Sequence, residues 1–344
     1  MTTITTKDIA TRLGLAVSTV GRALADDPRI SGQTKARVLR AAEEMGYVGN
    51  RAARMMRGAS SNTVGLVIPD IRNSFYATIA HELSANMAAH GLQLMLSETA
   101  DDREAESRHL RELSASRAAA VIIVPTADPH QDTVKLLTAL PHVQLLRRHP
   151  SLGPAYFGLD DFETVRSATA FLTGQGHTRI GYIGGPVELS TGAERLRGFH
   201  AALADAGLPK KAGMTVLGPP ASVSHGRTAL RRLLGRTTPP TALVTGSVLL
   251  TLGVMEELYD SGTTVPDELS VVGFGDEPGF AWWGPGLTTM RLPVATMAAD
   301  CAHWLVTRLA EKSDDASPRV FLPGELVQRG STATAVGTHA DAAK

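Results

Sequence analysis

Two patterns of apolar spacing divide this chain. Near the N-terminus the apolar residues recur at three and four, the period of a helix with one buried face. Thr6 to Leu13 reads as a short helix with Ile9, Ala10 and Leu13 on one side, Thr6 as its N-cap and Gly14 as its stop. Val17 to Leu24 reads as a second, burying Val20, Ala23 and Leu24. Ser31 caps a third, Gln33 to Met45, with Val38, Leu39, Ala42 and Met45 inward and Gly46 as terminator. From Thr63 the pattern becomes apolar runs of strand length alternating with amphipathic helices. Strands are expected at 64–68, 92–97, 119–124, 179–183, 242–245 and 269–274, with helices at 75–90, 103–116, 194–206 and 250–261 between them. Runs that are continuously apolar, rather than alternating, indicate strands covered on both faces, as in a parallel sheet. The series opened by Val64-Gly65-Leu66-Val67-Ile68 and by Arg179-Ile180-Gly181-Tyr182-Ile183 follow one plan and predict two α/β lobes. Ligands on such sheets bind beyond the carboxyl ends of the strands, here between the lobes. Thr332 to Lys344 is polar and Ala-rich and reads as a disordered tail.

Charge sharpens this division. The whole chain carries 34 Lys and Arg against 34 Asp and Glu, a net charge of zero. Residues 1–62 nevertheless hold ten Lys/Arg and five acids, so a basic head precedes an acidic body. Ala10, Gly14 and Val20 have the spacing of a helix-turn-helix, in which a small residue permits close helix crossing and a glycine makes the turn. Behind the third helix, Asn50-Arg51-Ala52-Ala53-Arg54-Met55-Met56-Arg57-Gly58 forms a basic strap. A basic head with that spacing points to double-stranded DNA as a partner.

Several classes find little support. Cys301 is the sole cysteine, the first eight residues lack an apolar signal core, and the longest apolar run, Ala118 to Val124, is far too short to span a bilayer. The expectation is a cytoplasmic, nucleoid-associated protein without a membrane partner. None of the common nucleotide-phosphate, nucleophile-elbow or zinc-protease motifs occurs, and the histidines lack metal spacing. His81-Glu82 and Asp101-Asp102 are read as solvated surface. No catalytic residue, metal or cofactor is expected. An enzyme and a sugar-binding protein without operator affinity stay as alternatives.

The ordered motifs resemble those of the LacI/GalR family of bacterial transcription repressors, from Ile4 to about Ser331. The matching stretches include Ile4 to Leu24, Met45-Gly46-Tyr47, Asn50-Arg51, Val64 to Asp70, Gly176-His177-Thr178-Arg179-Ile180, Gly184-Gly185-Pro186, Arg195 with Gly198-Phe199, Val265 to Phe274 and Leu287-Thr288-Thr289. The resemblance implies an α/β fold: an N-terminal helix-turn-helix head and hinge helix, followed by two doubly wound α/β lobes like those of periplasmic binding proteins. It places the head at 1–48, the hinge at 49–62 and the two-lobed, effector-binding and dimerising body at 63–331. Lobe 1 would comprise about 63–160 and 291–322, and lobe 2 about 161–290 and 323–331. It further implies a homodimer on a pseudo-palindromic operator. Thr6, Val17, Ser18, Thr19 and Arg22 would contact DNA from the head, and Asn50, Ala53, Met56 and Arg57 from the hinge. Gly21 departs from the family's usual serine, removing a phosphate donor and about 0.5–1 kcal/mol of helix propensity.

In the cleft the resemblance assigns a small-molecule effector, a sugar or sugar derivative, to Asn73, Phe75, Arg147, Thr191, Arg195, Ser247 and Asp276. Several acids and amides usual in sugar-binding members are replaced here, at Leu145-Leu146-Arg147-Arg148, Ser247-Val248 and Gly273-Phe274-Gly275-Asp276. Arg147 beside the retained Arg195 therefore predicts a positive cleft and an anionic effector, such as a sugar acid or sugar phosphate. The competing expectation pairs Arg147 or Arg148 with Asp160 or Asp161. Trp282 and Trp283 are expected either to stack on the ligand or to pack as a lid.

Overall fold

The computed structural model describes residues 4–47, 61–209, 213–219, 222–311 and 317–335. It divides into two compact units, Met1–Ser61 and Asn62–Lys344.

The first unit holds helices α1 (Thr6–Leu13), α2 (Val17–Leu24) and α3 (Gly32–Glu44). Ile9, Ala10, Val20, Ala23, Val38, Ala41 and Ala42 form its core. Gly14 ends α1 in the left-handed region, at φ 65°, where a side chain would be strained. Two expectations are corrected. The N-cap is Thr5, whose backbone N–H and hydroxyl both donate to Asp8 Oδ2, at 2.8 and 2.7 Å. Leu39 is 55% exposed, because Val38, Ala41, Ala42 and Met45 already complete the inward face of α3.

The second unit contains two six-stranded sheets. The first orders its strands β11 (Arg319–Leu322), β5 (Tyr156–Leu159), β4 (His142–Leu145), β3 (Ala120–Ile123), β1 (Thr63–Ile68) and β2 (Gln93–Glu98), all parallel. On one face α4 (Ser74–Ala88) and α11 (Val294–Glu311) bury Ile79, Leu83, Met87 and Met297 against Leu66, Ile68 and Ile122. On the other, α5 (Arg103–Ala115) and α6 (Gln131–Ala139) bury Leu110, Leu113 and Leu137 against Val67, Val121 and Ile123. Alternate residues of one apolar strand thus feed two cores, the reason such strands read as continuous runs. β2 is the exception. It lies at the sheet edge with Met95 46% and Leu96 38% exposed, so an apolar run there does not mean burial.

The second sheet orders β12 (Glu325–Val327), β10 (Thr288–Arg291), β9 (Ser270–Phe274), β8 (Ala242–Thr245), β6 (Ile180–Gly184) and β7 (Gly213–Leu217), with only β10–β12 antiparallel. Helices α7 (Asp161–Gly174) and α8 (Ser190–Asp205) pack on one face through Val165, Leu172, Phe199 and Leu203. Helices α9 (Val223–Leu234) and α10 (Val248–Ser261) cover the other through Leu230, Leu233, Val254 and Leu258. The chain passes between the sheets at Leu159–Asp161, Arg291–Val294 and Leu322–Glu325.

Residues 332–335, expected as the start of a disordered tail, are ordered against the second sheet. Ala333 donates from its N–H to Ser270 Oγ at 3.1 Å, and the N–H of Ala335 donates to the Gln175 carbonyl at 2.9 Å. Buried His177 joins Thr241, Ser270 and the Ala333 carbonyl at 3.0, 3.1 and 3.0 Å. This gives the Gly176-His177-Thr178 motif a structural task. Residues 336–344 lie outside the described range.

The crossing of α7 and α8 depends on Gly198, where an added Cβ would stand 2.2 Å from the Phe162 carbonyl oxygen. Neither backbone can yield cheaply. Gly198→Ala is expected to cost about 1–3 kcal/mol. Gly174→Ala, where nothing lies within 4 Å, should give a small gain, below about 1 kcal/mol. Thermal denaturation of the two variants checks the contrast, and equal effects would refute it.

Candidate functional site

A cavity of about 300 Å³ opens between the lobes at the carboxyl ends of their strands. Lobe 1 supplies Pro69 and Asp70 after β1, Ala100 and Asp101 after β2, and Leu146 and Arg147 after β4, together with Asn73 and Phe75 at the start of α4. Lobe 2 supplies Gly185 and Pro186 after β6, Gly246 and Ser247 after β8, and Phe274 at the end of β9. Thr191 and Arg195 come from the opening turns of α8. These positions follow from the parallel topology, which gathers strand ends and helix starts on one rim.

Six of the seven residues expected here do line the cavity: Asn73, Phe75, Arg147, Thr191, Arg195 and Ser247. Asn73 Oδ1 accepts from the Phe75 N–H at 3.2 Å and Ser247 Oγ from the Leu250 N–H at 3.2 Å, so both side chains cap helices. Asp276 is absent from the lining. Its carboxylate pairs with Arg291 and Arg329, at 3.0 and 2.8 Å, and accepts from Thr289. Two guanidiniums from lobe 2 itself draw it away. Trp282 is 79% exposed and Trp283 packs on the second lobe's core; neither reaches the cavity.

The expected surplus of positive charge is also absent. Arg147, nearly buried, is paired with Asp101 through both terminal guanidinium nitrogens. Arg195 Nε donates to Asp161 Oδ1 at 2.6 Å, its Nη1 donates to the Gly246 carbonyl at 2.6 Å, and its plane lies 4.3 Å from the Phe274 ring. Arg72, at the mouth, is held by Asp70 at 2.8 Å. Each guanidinium at the cavity therefore has its own carboxylate. The competing expectation is corrected as well: Arg148 pairs with Glu194, while Asp160 caps α7 by accepting from the Glu163 N–H at 2.9 Å.

Asp101 is the residue sequence reasoning misplaced as surface. The local signal was weak, because its partner lies 46 positions away. Ala100, Asp101 and Leu146, all at the cavity, hold φ of 52°, 60° and 61° without being glycine. Such strain costs about 1–3 kcal/mol per residue and persists only where surrounding contacts impose it. Here it aims Asp101 and Arg147 at each other.

Asp161 is buried, and desolvation outweighs Arg195 to push its carboxyl from 3.8 up to about 6. A raised carboxyl pKa contributes stability below the unfolded value, and that contribution is lost as pH rises through the folded value. Asp161→Asn removes the titration. Relative to the parent, its stability should climb between about pH 4 and 6 and then level off. Denaturant unfolding across that range checks this; a pH-independent gap would count against it.

In the head, Val17 is 48% exposed, Ser18 and Arg22 are exposed, and Thr6 and Thr19 are half-buried. Helices α1 and α2 thus leave a polar and basic face outside the small core. Asn50, Ala53, Met56 and Arg57, with the expected hinge helix, lie outside the described residues. No group of metal-ligating side chains occurs among the described residues, and none of their helices is long and apolar enough to cross a membrane.

Comparison with known proteins supports this organisation. Residues 5–50 match the model described as bacterial regulatory proteins, lacI family, and residues 169–332 match a periplasmic binding protein-like domain. The HTH-type transcriptional regulator GalR of Salmonella typhimurium strain LT2 is 32% identical over 335 residues, 97% of either chain. Among solved structures, a lac repressor dimer bound to operator and the anti-inducer ONPF superposes with a TM-score of 0.82 at 23% identity. It covers 96% of this chain and 100% of that one, a likeness of fold. A complex of the transcriptional regulator CelR with cellobiose has a TM-score of 0.69 at 27% identity, covering 95% and 99%.

Proposed function

The chain belongs to the lacI family of bacterial DNA-binding transcriptional regulators, and on that premise we propose that it is a homodimeric repressor whose operator affinity is set by a neutral, polyhydroxylated effector held between the lobes. The observation that carries the effector class is the pairing of Arg147 with Asp101 and of Arg195 with Asp161. A hydroxyl donates and accepts at once, and each ion pair offers both roles side by side. An anion would have to displace a carboxylate already seated on its guanidinium, exposing a buried acid to repulsion. Phe75 gives an apolar face of a sugar ring something to rest on. That CelR was solved with cellobiose supports a sugar-type ligand for this chain. The relatives are regulators rather than enzymes, in keeping with a binding role.

At the operator, α2 enters the major groove with Val17, Ser18 and Thr19 toward base edges and Arg22 toward the backbone. Paired hinges of the dimer, with Met56 as wedge and Arg57 as cation, widen the minor groove.

A thermal-shift screen of the whole chain against neutral sugars and against their acid and phosphate counterparts tests the effector class. Stabilisation by about 2.7 kcal/mol is expected at 100 times the Kd of a neutral member, and the shift should vanish in Arg195→Ala. Stabilisation by the charged set alone would overturn the neutral reading. For the head, Arg22→Ala should weaken binding to operator fragments and reduce the slope of log K against log salt by about one. An unchanged slope would remove Arg22 from the backbone contacts.

A further inference from the structure

A second cavity, of about 250 Å³, lies against α8 and is lined by Arg148, Tyr156, Asp160, Ser190, Glu194 and Arg197, among others. α8 is therefore a wall shared by two cavities. Thr191 and Arg195 face the effector cleft, while Ser190, Glu194 and Arg197 face the other. Residues 147 and 148 divide in the same way. Arg147 stays within lobe 1 by pairing with Asp101, whereas Arg148 reaches across to lobe 2.

That crossing has three parts. The Arg148 backbone N–H donates to Ser190 Oγ at 3.0 Å, and its guanidinium donates to Glu194 Oε1 at 3.3 Å. The guanidinium also lies 5.3 Å from the centre of the Phe321 ring of lobe 1, which restricts its swing. Glu194 is braced in turn by Arg197 Nε on its second oxygen at 3.1 Å, and Arg197 lies 3.9 Å from the Phe162 ring. We infer that Arg148 is an electrostatic latch between the lobes, holding the start of α8 against the loop after β4 and so setting how readily the effector cleft opens. The latch acts on the cleft from outside it. It does not depend on what the cleft binds.

Its strength is modest and screenable. Arg148 and Glu194 are 31% and 28% exposed at the side chain. A pair in that setting shifts an equilibrium by up to about fivefold, less at high salt. Such a shift suits a protein that must pass between two lobe arrangements, since a tighter latch would trap one of them.

The test uses single-molecule energy transfer on the full chain, with dyes on engineered surface cysteines, one per lobe; native Cys301 is buried and stays unlabelled. Arg148→Ala and Glu194→Gln should each raise the open fraction up to about fivefold at low salt. The double variant should add little to either. At 1 M NaCl the parent should approach Arg148→Ala. Arg166→Ala, which breaks pairs with Glu163 and Asp205 inside lobe 2, should leave the distribution unchanged. Single variants that match the parent, or effects that simply add, would each overturn the latch.

Discussion

Burying a carboxylate without a partner costs several kcal/mol, and the second lobe is arranged around one such acid. Asp161 opens α7 directly after the chain first crosses between the sheets, and it has almost no contact with water. Arg195 answers it from α8, then extends to the Gly246 carbonyl at the end of β8 and covers the Phe274 ring at the end of β9. One guanidinium thereby fixes four elements that form half of the cleft. Gly198, one turn further along α8, lets that helix lie close enough to α7 for the pair to meet.

The same rule governs the first lobe, with different parts. Arg147 is as deeply placed as Arg195, but its acid comes from the loop after β2, where the backbone is held at positive φ to deliver it. Both halves of the cleft therefore present a charged pair whose ions cancel. The cleft thus offers donors and acceptors side by side rather than a field of one sign.

The lobes communicate through short structure. Three brief crossings and the first turns of α8 connect them, and α8 carries both the arginine that lines the cleft and the acid that meets Arg148. Motion of that helix changes the cleft and its outer face together. An interaction outside the cleft can thus bias a binding equilibrium without touching the ligand.

Much of this was legible beforehand. The helices of the head, strands β1, β2 and β3 of one sheet, β6, β8 and β9 of the other, and the place of the cleft follow from periodicity, because the spacing of apolar residues and the identity of stop residues are local quantities. Gly14, Ser31 and Val64 to Ile68 behave as their neighbours require. Arg195 and Phe75 were found through ordered motifs. Asp101, Asp276 and Leu39 were misjudged for one physical reason: each has a fate decided by a competitor elsewhere in the fold. Asp101 finds Arg147, Asp276 is taken by Arg291 and Arg329, and Leu39 loses its inward place to Ala41. The order of residues along this chain determined where strands and helices form and which of their ends meet. Only the tertiary structure decided which charge answers which, because pairing depends on distances between loops that folding alone brings together.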